Sequence, residues 1–140
     1  MIILDTNVVS EPMRASGNPL VRDWLDRQVA DTLYLTSTSL SELLVGIENL
    51  PGGKRKKGLD SALGELLDMV FGPRILPFDR DAAIAYAPLV SRARRGGHTI
   101  SVGDGQIAAI ASLHGFTVAT RDTAPFIAAG VKVINPWTAD

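Results

Sequence analysis

Two aspartates in this 140-residue chain abut short apolar runs that read as β-strands. Asp5 directly follows Ile2-Ile3-Leu4, and Asp122 comes two residues after the run from Phe116 to Thr120. Two further acids fall in the first turns of helical patterns: Glu42 after the run Thr32 to Thr36, and Asp104 at the head of an Ala-rich segment. In an open α/β sheet, ligands bind beyond the carboxyl ends of the strands, so all four acids are expected in one crevice. Like charges gathered at short range repel and push each other's pKa upward. A hard divalent cation resolves that conflict: Mg²⁺ or Mn²⁺ takes oxygen ligands and keeps several waters. Held there, such an ion can activate water and neutralise charge building on a phosphodiester. That chemistry requires neither thiolate nor imidazole. The chain has no Cys, and its only histidines, His98 and His114, read as structural or solvated.

Each acid also has an ordinary structural reading. Ser39-x-x-Glu42 has the spacing of a capping box. Asp104 suits a first helical turn through the macrodipole alone, and Asp122 could cap a short helix through Phe126. Asp5 is harder to explain away, because a carboxylate against a buried strand is costly without a partner. The coincidence of all four at one end of one sheet favours a site.

The elements that must position these acids follow from periodicity. Strands are expected at Ile2–Leu4, Thr32–Thr36, Ile75–Phe78, Phe116–Thr120 and Val131–Ile134, with Pro77 pointing to a sheet edge. Asn18 before Pro19 signals a helix start. A helix from Ser39 carries Leu40, Leu43, Leu44 and Ile47 on one stripe. Pro51-Gly52-Gly53 breaks it before a second helix bearing Leu59, Leu63, Leu66, Leu67 and Val70, an inserted helical hairpin. The helix after Asp79 runs to Arg95, with Pro88 expected to kink or divide it. Gly103 to His114 forms another, closed by Gly115. Strands alternating with helices, most of them apolar on both faces, predict a three-layer α/β/α fold around a parallel sheet of about five strands. If the first and fourth strands are neighbours at a switch point, Asp5 and Asp122 lie side by side.

Composition narrows the class. An apolar fraction of 46% and mean hydropathy of +0.15 exclude intrinsic disorder. The length suits one domain over residues 1–140. No apolar run approaches a membrane span, and the start Met1-Ile-Ile-Leu-Asp lacks the pattern of a secretory leader, so a cytoplasmic protein is expected. The net charge of −1 hides two parts. Without the four site acids, eleven acidic residues face fourteen basic ones, a mildly basic shell suited to a polyanion.

Ile3-Leu4-Asp5-Thr6-Asn7, the helix carrying Ser41-Glu42-Leu43, Asp104 before Ile107-Ala108-Ala109, Thr120-Arg121-Asp122 and Asn135-Pro136-Trp137 together resemble PIN-domain proteins, most nearly toxins of the VapC/FitB type. The resemblance spans nearly the whole chain, with its motifs in order. It implies a Mg²⁺- or Mn²⁺-dependent ribonuclease, the toxin of a toxin–antitoxin pair, usually a homodimer and inhibited by a small VapB-type antitoxin. By position it implies Asp5 and Asp104 as metal ligands, Glu42 as a third ligand or water-orienting base, and Asp122 as a supporting ligand or one for a second ion. Thr6, Asn7 and Thr120 would orient those carboxylates by hydrogen bonds. Three features depart from the pattern: Pro125 stands where an acid often precedes Phe126, Pro88 interrupts a helix that is usually continuous, and Gly103 and Gly105 loosen the helix start at Asp104.

Among the basic residues, Lys54-Arg55-Lys56-Lys57 reads first as a solvated turn and second as a phosphate-contacting patch. Arg92 and Arg95 suit a helix C-terminus or an RNA groove equally. Arg121, beside Asp122, is expected to pair within the pocket or contact phosphate. Trp24 and Trp137 read as packing anchors, the latter also as a surface on which a base could stack. Two other functions fit parts of the sequence. One is an aspartate-based phosphatase with Asp5 as nucleophile, although Asn7 stands where a second Asp is needed. The other is a silent binding module that keeps the fold without turnover.

Overall fold

The computed structural model describes residues 1–139. Five strands, β1 (Ile2–Leu4), β2 (Leu33–Thr36), β3 (Ile75–Leu76), β4 (Thr117–Ala119) and β5 (Val133–Ile134), form one sheet in the order β3-β2-β1-β4-β5. Every pairing is parallel. β1 is central because it is wholly apolar, and its successive side chains serve opposite faces. Ile3 enters one hydrophobic core and Leu4 the other, as do Val118 and Ala119 on β4. The first core lies under α5 (Arg80–Arg95), α6 (Val102–His114) and α7 (Thr123–Ala128). The second lies under α1 (Thr6–Ser10), α2 (Pro19–Asp26), α3 (Ser37–Glu48) and α4 (Lys54–Glu65). Helices on both faces of a parallel sheet make the three-layer arrangement expected from the sequence, with α3 and α4 as the inserted hairpin. No helix among the described residues is long and apolar enough to cross a membrane.

Several local expectations are corrected. β1 has the expected bounds, the other four strands are shorter than their expected runs, and β3 ends before Pro77 at the sheet edge. The five-residue helix α1 has no signature in the sequence, since Val8 and Val9 are β-branched; Asp5 starts it by accepting a hydrogen bond from Thr6 N–H at 2.8 Å. α3 begins two residues earlier than Ser39, because the side chain of Thr36 is the cap, accepting from Ser39 N–H at 3.0 Å. α5 runs through Pro88 without division. Pro88 and Ile84, whose carbonyl it leaves without a donor, both face solvent, where water serves instead.

The glycines around Asp104 do not loosen α6. A Cβ at Gly105 would stand 2.7 Å from Cε2 of Tyr86 and 3.2 Å from Cγ2 of Val90, so the missing side chain lets α6 press against α5. Buried Ala108, Ala109 and Ala111 keep the rest of α6 equally close to its neighbours. Gly105→Ala is therefore expected to cost about 1–3 kcal/mol through overpacking. Urea unfolding checks this, as a lower midpoint with an unchanged slope.

Candidate active site

The strand order reverses between β1 and β4, which makes the crevice at their carboxyl ends the expected place for a site. Asp5 N–H donates to the Ala119 carbonyl at 2.9 Å, extending the β1–β4 ladder one residue past the strand end. This brings Asp5 against Thr120. Asp5 is only 6% exposed, and both of its oxygens are engaged: one accepts from Thr6 N–H, and Oδ2 accepts from Thr120 Oγ1–H at 2.8 Å. The same Thr120 oxygen accepts from Asp122 N–H at 3.1 Å, so one buried hydroxyl fixes both the Asp5 carboxylate and the backbone of Asp122.

Glu42 arrives from the second turn of α3. Because Thr36 caps that helix, Glu42 is not part of a capping box. Its Oε1 accepts from Thr6 Oγ1–H at 3.3 Å, and a Cβ at Gly103 would stand 3.5 Å from that same oxygen. Gly103 thus leaves room for the Glu42 carboxylate beside the head of α6. Asp104 sits in the first turn of α6, its N–H donating to Ser101 Oγ at 3.1 Å. Ser101 is a positioning residue missed in the sequence, although Ser101-x-x-Asp104 carries a capping signature. Thr38 Oγ1 donates to Gln106 Oε1 at 2.9 Å, tying the two helices that bring Glu42 and Asp104 together. Asp122 occupies the cap position of α7, yet its side chain caps nothing. The structural explanations open for Glu42 and Asp122 therefore do not account for their side chains.

Burial pushes Asp5 above the usual carboxylate range, and Glu42 and Asp122 push it further, against hydrogen bonds from Thr120 and Thr6 that pull it down. Asp104 is raised by burial and by the charges of Asp5 and Asp122. Glu42 is raised by partial burial and by Asp104. The ion pairs among the described residues lie elsewhere, joining Arg14 to Glu11, Lys56 to Glu48 and Arg74 to Asp31. Arg121 does not pair with the acids; its guanidinium lies over the Trp137 ring, 5.3 Å from the centroid. Arg92 is also placed away from the crevice. It packs against Gly130, on the loop entering β5 and hence at the opposite end of the sheet. Arg95 is exposed in the last turn of α5.

The donor set fits a hard cation: four carboxylates, with no sulfur and no imidazole among them. A fifth oxygen, Oδ1 of Asn7, is buried without a partner two residues from Asp5, the kind of orphan that an ion or its waters satisfies. No three acidic or imidazole side chains among the described residues converge on one point.

A parallel sheet with these four acids on the elements around its switch point defines a class, and the comparison is specific. The PIN domain family matches residues 2–132, and the chain belongs to that family. It is 50% identical over 139 residues to the plasmid stability protein StbB of Pseudomonas syringae pv. tomato, covering 99% of this chain and all of that one. It is 49% identical to a VapC ribonuclease of Sinorhizobium fredii, covering 98% of each. The crystal structure of FitAcB from Neisseria gonorrhoeae superposes with a TM-score of 0.89 at 45% identity, covering 99% of this chain and all of that one. Within the PIN family the chain groups with the VapC- and FitB-type toxin ribonucleases.

Proposed function

We propose that this protein is a Mg²⁺- or Mn²⁺-dependent endoribonuclease acting as the toxin of a toxin–antitoxin pair. The observation that carries this reading is the set of four carboxylates, Asp5, Glu42, Asp104 and Asp122, on the elements around the β1–β4 switch point, with no basic side chain bridged to any of them among the described residues. Asp5, Asp104, Glu42 and Asp122 would hold the ion, which when bound supplies Lewis acidity that lowers the pKa of water and offsets charge on the phosphodiester. The chain's own residues do the positioning. Thr6 and Thr120 fix both oxygens of Asp5, and Thr6 holds one oxygen of Glu42. In this reading the other oxygen of Glu42 orients the attacking water and accepts its proton.

An aspartate-nucleophile phosphatase is disfavoured by the geometry, since Asp5 is buried with both oxygens occupied. Partnership with an antitoxin is supported by relatives of the same architecture, among them a VapBC toxin–antitoxin system from Mycobacterium tuberculosis at 27% identity and a TM-score of 0.71. Homodimerisation and one catalytic domain over residues 1–140 complete the reading.

The test is hydrolysis of a structured RNA by the isolated protein. Cleavage is expected with Mg²⁺ or Mn²⁺, loss with EDTA, and recovery when either ion is returned in excess. Cleavage that persists through chelation overturns the metal-dependent reading. Acid-stable phosphate or beryllofluoride trapped on Asp5 would support the phosphatase instead.

A further inference from the structure

A second pocket, of about 270 Å³, opens directly beside the crevice and shares Thr6 and Glu42 with it. Its floor is apolar, built from Leu43, Ile47 and Leu59, and Arg55 stands on its wall. Gly46, in the last turn of α3, lines it too; a Cβ there would meet no atom within 4 Å. Its backbone has no positive φ, and glycine weakens a helix relative to alanine, so neither conformation nor crowding requires it. What glycine does here is keep the pocket open.

The head of α4 adds an independent observation. Gly53 caps that helix with no side-chain hydrogen bond, and Lys54-Arg55-Lys56-Lys57 stacks four cations on the positive end of the helix dipole. That arrangement is unfavourable unless an anion joins it. Lys56 reaches Glu48, with Nζ donating to its carbonyl at 3.0 Å, whereas Arg55 forms none of the ion pairs seen among the described residues. An apolar slot bordered by Glu42 and by Arg55, which has no ion-pair partner among the described residues, matches a flat base joined to a phosphate.

We infer that this pocket receives a nucleobase of single-stranded RNA next to the scissile phosphate, with a flanking phosphate held by Arg55 at the N-terminus of α4. The inference rests on the ribonuclease reading and adds the place where the strand is gripped. Single-stranded RNA is recognised largely through splayed bases, and each buried base contributes substantially to affinity. The basic run expected as a solvated turn thus gains a second role through Arg55.

The experiment fills the pocket by a substitution that replaces none of the four acids. Fluorescence anisotropy of a labelled eight-nucleotide single-stranded RNA is measured with the full chain carrying Asp104→Asn, which prevents cleavage. Adding Gly46→Leu or Arg55→Glu is expected to weaken binding roughly tenfold or more. The same RNA made abasic should bind the unfilled protein weakly, with no further loss from Gly46→Leu. In the otherwise wild-type chain, Gly46→Leu should cut cleavage to a similar degree while keeping the thermal shift produced by Mg²⁺, which shows the fold and metal site intact. Full RNA affinity and cleavage in both Gly46→Leu and Arg55→Glu overturns the pocket assignment and leaves the ribonuclease standing. A wild-type chain that neither binds nor cleaves RNA brings down both.

Discussion

Asp104→Asn is expected to abolish RNA cleavage and, in the metal-free protein, to raise stability. Losing one carboxylate removes roughly 3 kcal/mol or more of transition-state stabilisation, a rate loss of at least about a hundredfold. The gain in stability follows from the same charges. Asp5, Glu42 and Asp104 are all held above their ordinary pKa, so the folded chain binds more protons than the unfolded one between the ordinary value and the raised one. Stability is then fully present below the unfolded pKa and falls as pH rises through the folded values. The amide cannot ionise, so Asp104→Asn removes its own share of that fall and relieves Asp5 and Glu42. Thermal unfolding across pH in EDTA should show a wild type that weakens as pH rises from the ordinary carboxylate range through the raised values and then levels off, and a variant with a shallower fall. Mg²⁺ should restore the wild type and do little for the variant. A variant less stable than wild type at alkaline pH would contradict the description of the site as a repulsive cluster.

Thr120→Val carries the second large effect, because one hydroxyl serves two acids. The valine keeps shape and burial but leaves Asp5 Oδ2 without its donor and Asp122 N–H without its acceptor. An unsatisfied buried group costs about 1–3 kcal/mol, the upper part of that range applying to a charged one. Activity is expected to fall roughly 10–100-fold, as when a group orienting a metal ligand is removed. The hydroxyl holds the Asp5 pKa down, so its removal moves the acid limb of the pH–rate profile to higher pH. Half-activation should also require more Mg²⁺. Thr120→Ser keeps the hydrogen bonds and should restore both properties. A Thr120→Val enzyme with the wild-type acid limb and Mg²⁺ requirement would reduce Thr120 to a packing residue.

The sheet, its order around β1 and the two strand-end acids were legible because they depend on simple signals: apolar runs, alternation and the reversal of order at a parallel switch point. Glu42 and Asp104 were legible as acids near helix starts, but their surroundings were not. The true cap of α3 is Thr36, a strand residue, and only the fold shows that Glu42 extends toward Thr6 and Gly103. α1 escaped notice since five residues cannot display a helical period. Gly105 read as loosening because a sequence does not reveal the Tyr86 ring pressed against it. Arg92 and Arg121 illustrate the same limit for charges. Their types suit RNA, yet one packs beside Gly130 and the other covers Trp137.

The bond between Thr120 and Asp5 joins residues separated by 115 positions. During synthesis the amino end emerges first, so Asp5 leaves the ribosome long before Asp104, Thr120 and Asp122 exist as folded partners. β1 itself cannot settle between its neighbours until β4 has been made. A growing chain, or one cut short before residue 120, therefore has no assembled crevice.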